Sequence, residues 1–417
     1  MSRGSMFGKP DWFLILVYLT LVLYGWLSIY SASAPDQGAP IFELSQRYGK
    51  QLLWIGLALF LAFSILLIDA KFFSTFAYAF YGAMMLVLIG VLVFGSTVAG
   101  SKSWFQFGTF ALQPAEFAKF ATALALAKFL STRNVGFHQF QTKWKVLVLI
   151  GLPAALILLQ NDTGSALVYL AFILVLFREG LSGLIIISGV VMTFLFIITI
   201  IFGELYVSAA LLALTFLILL FRRFRRQWKS IGVVLVLSVA FVFSVHTAFH
   251  KVLEPHQRVR IQVMLGLKKD PLGAGYNVNQ AKIAIGSGGM DGKGYFKGML
   301  TRNHFVPEQS TDFIFCTIGE ERGFLGVTVL ILLFITMLLR ILFLAERQRS
   351  DFGRIYGYGV ASVLFFHFAV NIAMTIGFAP VVGIPLPFFS YGGSSLWAFT
   401  ILLFIFIKQD ANRLNVL

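Results

Sequence analysis

Residues His250–Gly326 read HKVLEPHQRVRIQVMLGLKKDPLGAGYNVNQAKIAIGSGGMDGKGYFKGMLTRNHFVPEQSTDFIFCTIGEERGFLG, the one long polar stretch in a chain that is otherwise a succession of apolar runs. Between His250 and Asp312, nine basic residues (Lys251, Arg258, Arg260, Lys268, Lys269, Lys282, Lys293, Lys297, Arg302) stand against five acids (Glu254, Asp270, Asp291, Glu308, Asp312), a net charge of plus four. Gly286, Gly288, Gly289, Gly292, Gly294 and Gly298 fall within thirteen residues. A backbone without Cβ atoms can turn its N–H groups toward an anion there. A connection longer than about 12 to 15 residues is usually functional or disordered. The interspersed Tyr276, Ile283, Ile285, Tyr295, Phe296 and Phe305 favour an ordered, functional segment.

Working outward, the composition identifies the solvent. Of 417 residues 58% are hydrophobic and 12% charged, against about 45–50% apolar and about 25% charged in soluble domains. This is the profile of a polytopic membrane protein. A net charge of +15 would point to nucleic acid in a soluble protein, but in a membrane protein the placement of the charges matters more than their sum, and no nucleic-acid partner is expected. The single cysteine, Cys316, excludes an intramolecular disulfide and a cysteine-based zinc cage. Ala32-Ser33-Ala34 resembles a signal-peptidase site, yet the run before it, Trp12 to Tyr30, is too long for a signal h-region and reads as an uncleaved span.

A helix crossing a core of about 30 Å needs about 20 mostly apolar residues. Twelve segments qualify: 12–31, 50–69, 74–95, 114–131, 145–160, 164–178, 182–202, 206–221, 231–249, 320–344, 355–377 and 391–408. Basic residues cluster after the fourth (Arg133, Lys143, Lys145), eighth (Arg222, Arg223, Arg225, Arg226, Lys229) and tenth (Arg347, Arg349, Arg354). The positive-inside rule makes those connections cytoplasmic, with both termini inside and the long loop outside. Nine basic residues in an outward loop then need another reason, and an anionic substrate supplies one; a solvated or headgroup-facing charge run is the alternative.

Ionisable residues within spans are expensive and are candidates for function. Glu116 and Lys119 in QPAEFAKF lie three apart on one helical face, behind Pro114 at the helix start. They read either as a structural ion pair or as the lining of a polar cavity. Asp162 in NDTGSAL is placed to cap the next helix, Arg47 and Lys50 precede the second span where snorkelling is the alternative, and Glu320, Glu321 and Arg322 form a charged cluster after Asp312. Other signals fail. Gly292-Lys293 is followed by Gly294 rather than Ser or Thr, so there is no Walker A loop, and His246 and His250 in HTAFH lack the glutamate of HExxH.

The segments DPLGAGYNVNQAKIAIGSGGMDGKGYFKG, VPEQSTDFIFCTIGEERGFLGV and NIAMTIGFAPVVGIPLPFFSYGGSS, with QPAEFAK and NDTGSA upstream, run from Gln113 to Ser395. Together, in this order, they resemble the SEDS family of bacterial cell-wall proteins, which includes RodA, FtsW and SpoVE. The PVVGIPLPFFSYGGSS segment looks like the RodA branch. The resemblance implies an all-α polytopic fold, here about 12 transmembrane helices (a ten-helix core plus two inserted within 182–249) in a single domain over 1–417, with a large extracytoplasmic loop over 250–319. It implies a peptidoglycan glycosyltransferase that polymerises lipid II during elongation, in the inner membrane, beside a class B penicillin-binding protein. Matched residue by residue, Asp312 of PEQSTDF is the family's essential acid, Glu116 and Lys119 its QPSEFAK pair, Arg47 its arginine before the second span, and Asp162 the aspartate of its PDLGTA motif. Candidate substrate contacts are thus Arg47, Lys50, Glu116, Lys119, Asp162, Arg258, Lys282, Ser287, Gly288, Lys293, Gln309 and Ser390. Two departures stand out: the extra pair of spans, and Ser103 before Trp104, with Lys102 one further back, where the family often has Arg.

The implied chemistry joins the C4 hydroxyl of an acceptor sugar to the anomeric carbon of a donor and expels undecaprenyl pyrophosphate, with inversion. A weakly nucleophilic alcohol needs a base within about 3 Å, and the leaving group needs positive charge or N–H donors. Asp312 beside a basic loop suits the first role, with a cap for the helix beginning at Phe313 as the plainer alternative. No resident metal is readable; a divalent cation such as magnesium is left open. The rival functions are a flippase for lipid-linked precursors and a non-catalytic scaffold for the transpeptidase.

Overall fold

With no water in the bilayer core, every backbone polar group there must be satisfied within the chain, so spans are helical. The computed structural model describes residues 9–34, 40–98, 100–108, 110–132, 139–221, 226–268, 270, 273, 275–303 and 305–414. Arg133, Arg222, Arg223, Arg225 and Lys269 lie outside the described residues.

The helices are α1 (Trp12–Ser33), α2 (Arg47–Leu67), the short α3 (Ala70–Thr75), α4 (Ala77–Phe94), α5 (Pro114–Leu130), α6 (Phe140–Leu159), α7 (Thr163–Leu167), α8 (Phe172–Arg178), α9 (Gly183–Phe202), α10 (Glu204–Leu220), α11 (Trp228–Thr247), α12 (Pro255–Met264), α13 (Tyr276–Ser287), α14 (Met299–Arg302), α15 (Ile314–Glu346), α16 (Asp351–Thr375) and α17 (Gly393–Ala411). All twelve apolar segments are helical. Among the described residues nine helices (α1, α2, α4, α6, α9, α11, α15, α16, α17) are long and apolar enough to cross a membrane, by length and composition. The other three segments are α5, α10 and the α7–α8 run, which passes through a 3-10 turn at Val168–Ala171.

Three details differ from the sequence reading. A three-stranded antiparallel sheet, β1 (Ser96–Val98), β2 (Ser101–Phe107) and β3 (Phe110–Leu112), connects α4 to α5. Lys102 in β2 donates its backbone N–H to the Gln160 carbonyl at 3.0 Å and its ammonium to the Val93 carbonyl at 3.1 Å, at the open end of α4. The long polar stretch holds three helices, α12, α13 and α14; α12 opens with a capping box of Glu254 and Gln257. Finally, α15 starts at Ile314 rather than residue 320 and is interrupted at Gly323 (φ 59°, ψ −157°). A Cβ at Gly323 would lie 2.4 Å from the Gly292 nitrogen, so glycine is required both for the conformation and for the space.

The chain divides into two units. One comprises residues 181–276, in which α9, α10 and α11 pack on one another and present Leu184, Ile187, Val190 and Phe194 outward, as lipid-facing helices do. The other comprises residues 1–180 and 277–417. Its centre is α5, packed against α4, α16 and α17, so nearly every α5 side chain before Lys128 is buried. At one end, Arg340 meets Asp11 at 3.2 Å and Arg347 meets Asp410 at 3.0 Å, tying together α1, α15 and α17. Near the other end, α13 rests on the start of α15 through Ala281, Ala284, Val306, Phe313 and Cys316.

Candidate active site

Asp312 ends a turn that is wired together by its polar neighbours. Glu308 adopts φ 54°, and the Thr311 hydroxyl donates to the Glu308 carboxylate at 2.9 Å. The Ser390 hydroxyl donates to the Thr311 carbonyl at 2.7 Å, and the Tyr391 N–H to the Ser310 carbonyl at 2.9 Å, joining this turn to the loop before α17. Arg47, in the first turn of α2, donates to the Ser310 hydroxyl at 2.7 Å, approaches Glu308 at 3.5 Å and lies over the Tyr391 ring at 5.8 Å. Half of the Arg47 side chain remains exposed, and Lys50 follows one turn on.

The Asp312 carboxylate itself is part-buried and, among the described residues, accepts no hydrogen bond. Phe313 occupies the N-cap of α15 without a side-chain bond, so Asp312 does not cap that helix. One carboxylate oxygen sits 3.4 Å from where a Cβ on Gly383 would be, and Gly383 has φ 71°. Burial, and then the charges of Glu308, Glu116 and Asp162, push the Asp312 carboxyl up to about 7. A carboxylate raised that far ionises near neutrality, the range in which a base works best.

Deeper in the same unit, Lys119 and Glu116 form an ion pair at 2.8 Å with both side chains almost wholly buried. The Lys119 ammonium also meets His367 Nε2 at 2.9 Å and lies over the Phe399 ring at 5.0 Å. His367 Nδ1 lies 3.1 Å from the Pro385 carbonyl, so the proton resides on Nδ1 and Nε2 accepts from Lys119. The pair is thus closed on protein partners, save for the buried Glu116 Oε2, which has none among the described residues. Asp162 N-caps α7 by accepting from the Ser165 N–H at 3.0 Å, and accepts from Gln113 at 2.8 Å.

The glycine-rich segment differs from the expected anion cradle. The N–H groups of Lys293 and Gly294 donate to the carbonyls of Glu320 and Glu321 at 3.0 and 2.9 Å, so they face α15 rather than an open site. A Cβ on Gly288 would lie 1.9 Å from the Gly319 carbonyl oxygen; its glycine permits close packing. Lys293 is paired with Glu320 at 2.8 Å, and the Ser287 hydroxyl returns to its own helix at Ala284. Lys282 is exposed and lies against Gly377. Gln309 and Ser390 are buried beside Asp312's turn. Arg258 belongs to the 181–276 unit and donates to the Leu253 carbonyl at 2.8 Å. Among the described residues, no group of three or more His, Cys, Asp or Glu side chains is placed to hold a metal ion.

The structure therefore brings Asp312, Arg47, Gln309 and Ser390 together, with Glu116 and Asp162 within electrostatic reach of Asp312 and Lys119 paired to Glu116. It adds His367 and Asn371, which motif reasoning passed over. Two polar residues spaced i, i+4 in the apolar run FFHFAVNIAM were the available signal.

A family model described as cell cycle protein, covering FtsW, RodA and SpoVE, matches residues 11–215 and 190–414. The chain belongs to the SEDS family. Among SEDS relatives, the peptidoglycan glycosyltransferase MrdB of Escherichia coli K12 is 34% identical over 384 residues, covering 92% of this chain and 88% of the relative. RodA of Treponema pallidum, also a peptidoglycan glycosyltransferase, is 34% identical over 430 residues, covering 97% and 98%. Among solved structures, a chain from a peptidoglycan synthase complex that coordinates polymerization and crosslinking superposes with a TM-score of 0.71 at 29% identity, covering 97% and 98%. RodA of Thermus thermophilus gives 0.62 at 27% identity over the same shares. As a SEDS protein the chain is a multi-pass membrane peptidoglycan glycosyltransferase.

Proposed function

We propose that this SEDS protein polymerises lipid II at the outer face of the membrane, with Asp312 as the general base. The observation that carries the reading is the Asp312 carboxylate: part-buried, without a protein hydrogen bond among the described residues, and pushed up to about 7. Asp312 takes the proton from the acceptor's C4 hydroxyl as that oxygen attacks the anomeric carbon of the donor. The bond to the pyrophosphate breaks on the opposite side, which inverts the configuration and requires no second, nucleophilic carboxylate. Arg47 and Lys50, at the N-terminal end of α2, and the exposed Lys282 are the cations we assign to the pyrophosphate, whose charge grows as it departs. Gln309 and Ser390 shape the turn that carries the base. Lys119, enclosed by Glu116, His367 and Phe399, supports the site from within.

In this reading twelve helices span the membrane, both termini and Lys229 are cytoplasmic, and a class B penicillin-binding protein crosslinks the product. A cysteine placed at Lys229 should label only after the membrane is permeabilised; labelling from outside would invert the sidedness. Purified protein supplied with lipid II and its transpeptidase should yield glycan strands. Transfer of unpolymerised lipid II between leaflets, without strands, would instead favour a flippase.

A further inference from the structure

Burial and charge describe what Asp312 can do, but not what aims it. A carboxylate with no hydrogen bond of its own keeps a fixed place only if its backbone is held. The hold comes from α16. Asn371 is fully buried, and its Nδ2 donates to two carbonyls at once, that of Asp312 at 2.8 Å and that of Ile384 at 2.7 Å. Ile384 follows Gly383, the residue against which the Asp312 carboxylate lies. Turning the amide over would set its oxygen against two carbonyl oxygens, so the orientation is fixed, and Asn371 Oδ1 is left buried without a partner among the described residues. One turn earlier on the same face, His367 joins the next carbonyl, Pro385, to Lys119. A single helix face thus grips two successive carbonyls of the loop and the backbone of the base.

We propose that Asn371 is a positioning residue for glycosyl transfer: its side-chain amide locks the backbone of Asp312 to the Gly383–Ile384 segment, so that the carboxylate stays part-buried and unpaired against Gly383. Asn371 reaches no reacting atom itself. The inference rests on Asp312 being the base and acts through it.

Asn371→Leu keeps the branched four-atom skeleton, with bulkier methyl ends, and removes both donors. The test is initial polymerisation rate against lipid II concentration and against pH, with thermal stability measured in the same detergent. The kcat should fall toward the roughly 100-fold that a misplacement of about 1 Å costs, with KM changed by less than about twofold. The pH limb that reports Asp312 should move to lower pH, because a freed carboxylate reaches water and ionises more easily. Glu308 on its own turn, Glu116 on α5 and Asp162 before α7 are unchanged in the variant, so the shift reports the setting of Asp312 alone. Asn371→Ser, smaller and with one donor, should fall between Asn371→Leu and wild type in both quantities. Wild-type kcat and pH limb at equal stability would overturn the proposal. So would a loss confined to KM, or failure of both variants to accumulate, which would assign Asn371 to folding. Asp312→Asn run in parallel separates the two claims: an active Asp312→Asn removes the base itself, whereas an inactive one beside fully active Asn371 variants removes only the positioning.

Discussion

Glu116 and Lys119 are three residues apart and share a 2.8 Å contact, but their losses should not be equal. The Lys119 ammonium has three neighbours: Glu116, His367 at 2.9 Å and the face of Phe399 at 5.0 Å. Among the described residues Glu116 has one, because its second oxygen is buried without a partner there. Lys119→Met therefore strands a buried carboxylate, a defect that typically costs about 3–5 kcal/mol. Glu116→Gln leaves the ammonium with His367, the ring and a neutral amide oxygen, and should cost about 1.5–3 kcal/mol, the range for a hydrogen bond to a charged group. The double variant buries neither charge, so it should be no less stable than Lys119→Met alone, which makes the coupling at least the Glu116→Gln cost of about 1.5–3 kcal/mol. Thermal unfolding of all four proteins in one detergent gives the order, and inactivation rates at a fixed temperature check it where unfolding is irreversible. Strict additivity, or Glu116→Gln as the worse single variant, would refute this account of the pair.

Other expectations follow from the same geometry. Because the Asp312 carboxyl is raised from 3.8 to about 7, its basic form should appear, and polymerisation rate climb, as pH rises through about 7. The same shift means that between those values the folded protein holds a proton the unfolded chain has released, so stability falls as pH rises through that window. Asp312→Asn should flatten that dependence. Gly288→Ala should fail to accumulate in membranes, since its Cβ would lie 1.9 Å from the Gly319 oxygen, whereas Gly286→Ala, with nothing within 4 Å, should be tolerated; equal behaviour would contradict the packing role. Arg47→Ala removes contacts from a half-exposed side chain, so thermal stability should change by less than about 0.5 kcal/mol while KM for lipid II rises; an unchanged KM would remove Arg47 from the substrate site.

The helices were legible because the period and length of apolar runs carry the signal, and the Glu116–Lys119 contact followed from i, i+3 spacing alone. Less was legible where partners are distant in sequence. Asn371 reaches back 59 residues to Asp312, and His367 248 residues to Lys119. No local pattern specifies which carbonyl an amide will meet. The glycine run illustrates the same limit. Its residues can serve an anion or a close approach of two backbones, and only the position of Gly319 and Glu321 on α15 distinguishes the two. The β1–β3 sheet was hidden for a different reason. SKSWFQF carries aromatic residues of high strand propensity but no strict alternation, and in a chain so apolar a connection of that length reads first as a loop.

The central claim is that the Asp312 carboxylate removes a proton during glycosyl transfer, and Asp312→Asn tests it most directly. Asparagine has nearly the same shape and cannot accept the proton; because the wild-type carboxylate accepts no hydrogen bond among the described residues and caps no helix, little structure depends on its charge. Purified with its transpeptidase and supplied with lipid II at equal protein amounts, the variant should bind lipid II normally and lose strand formation by roughly 100-fold or more. Polymerisation by Asp312→Asn at close to the wild-type rate would contradict the account.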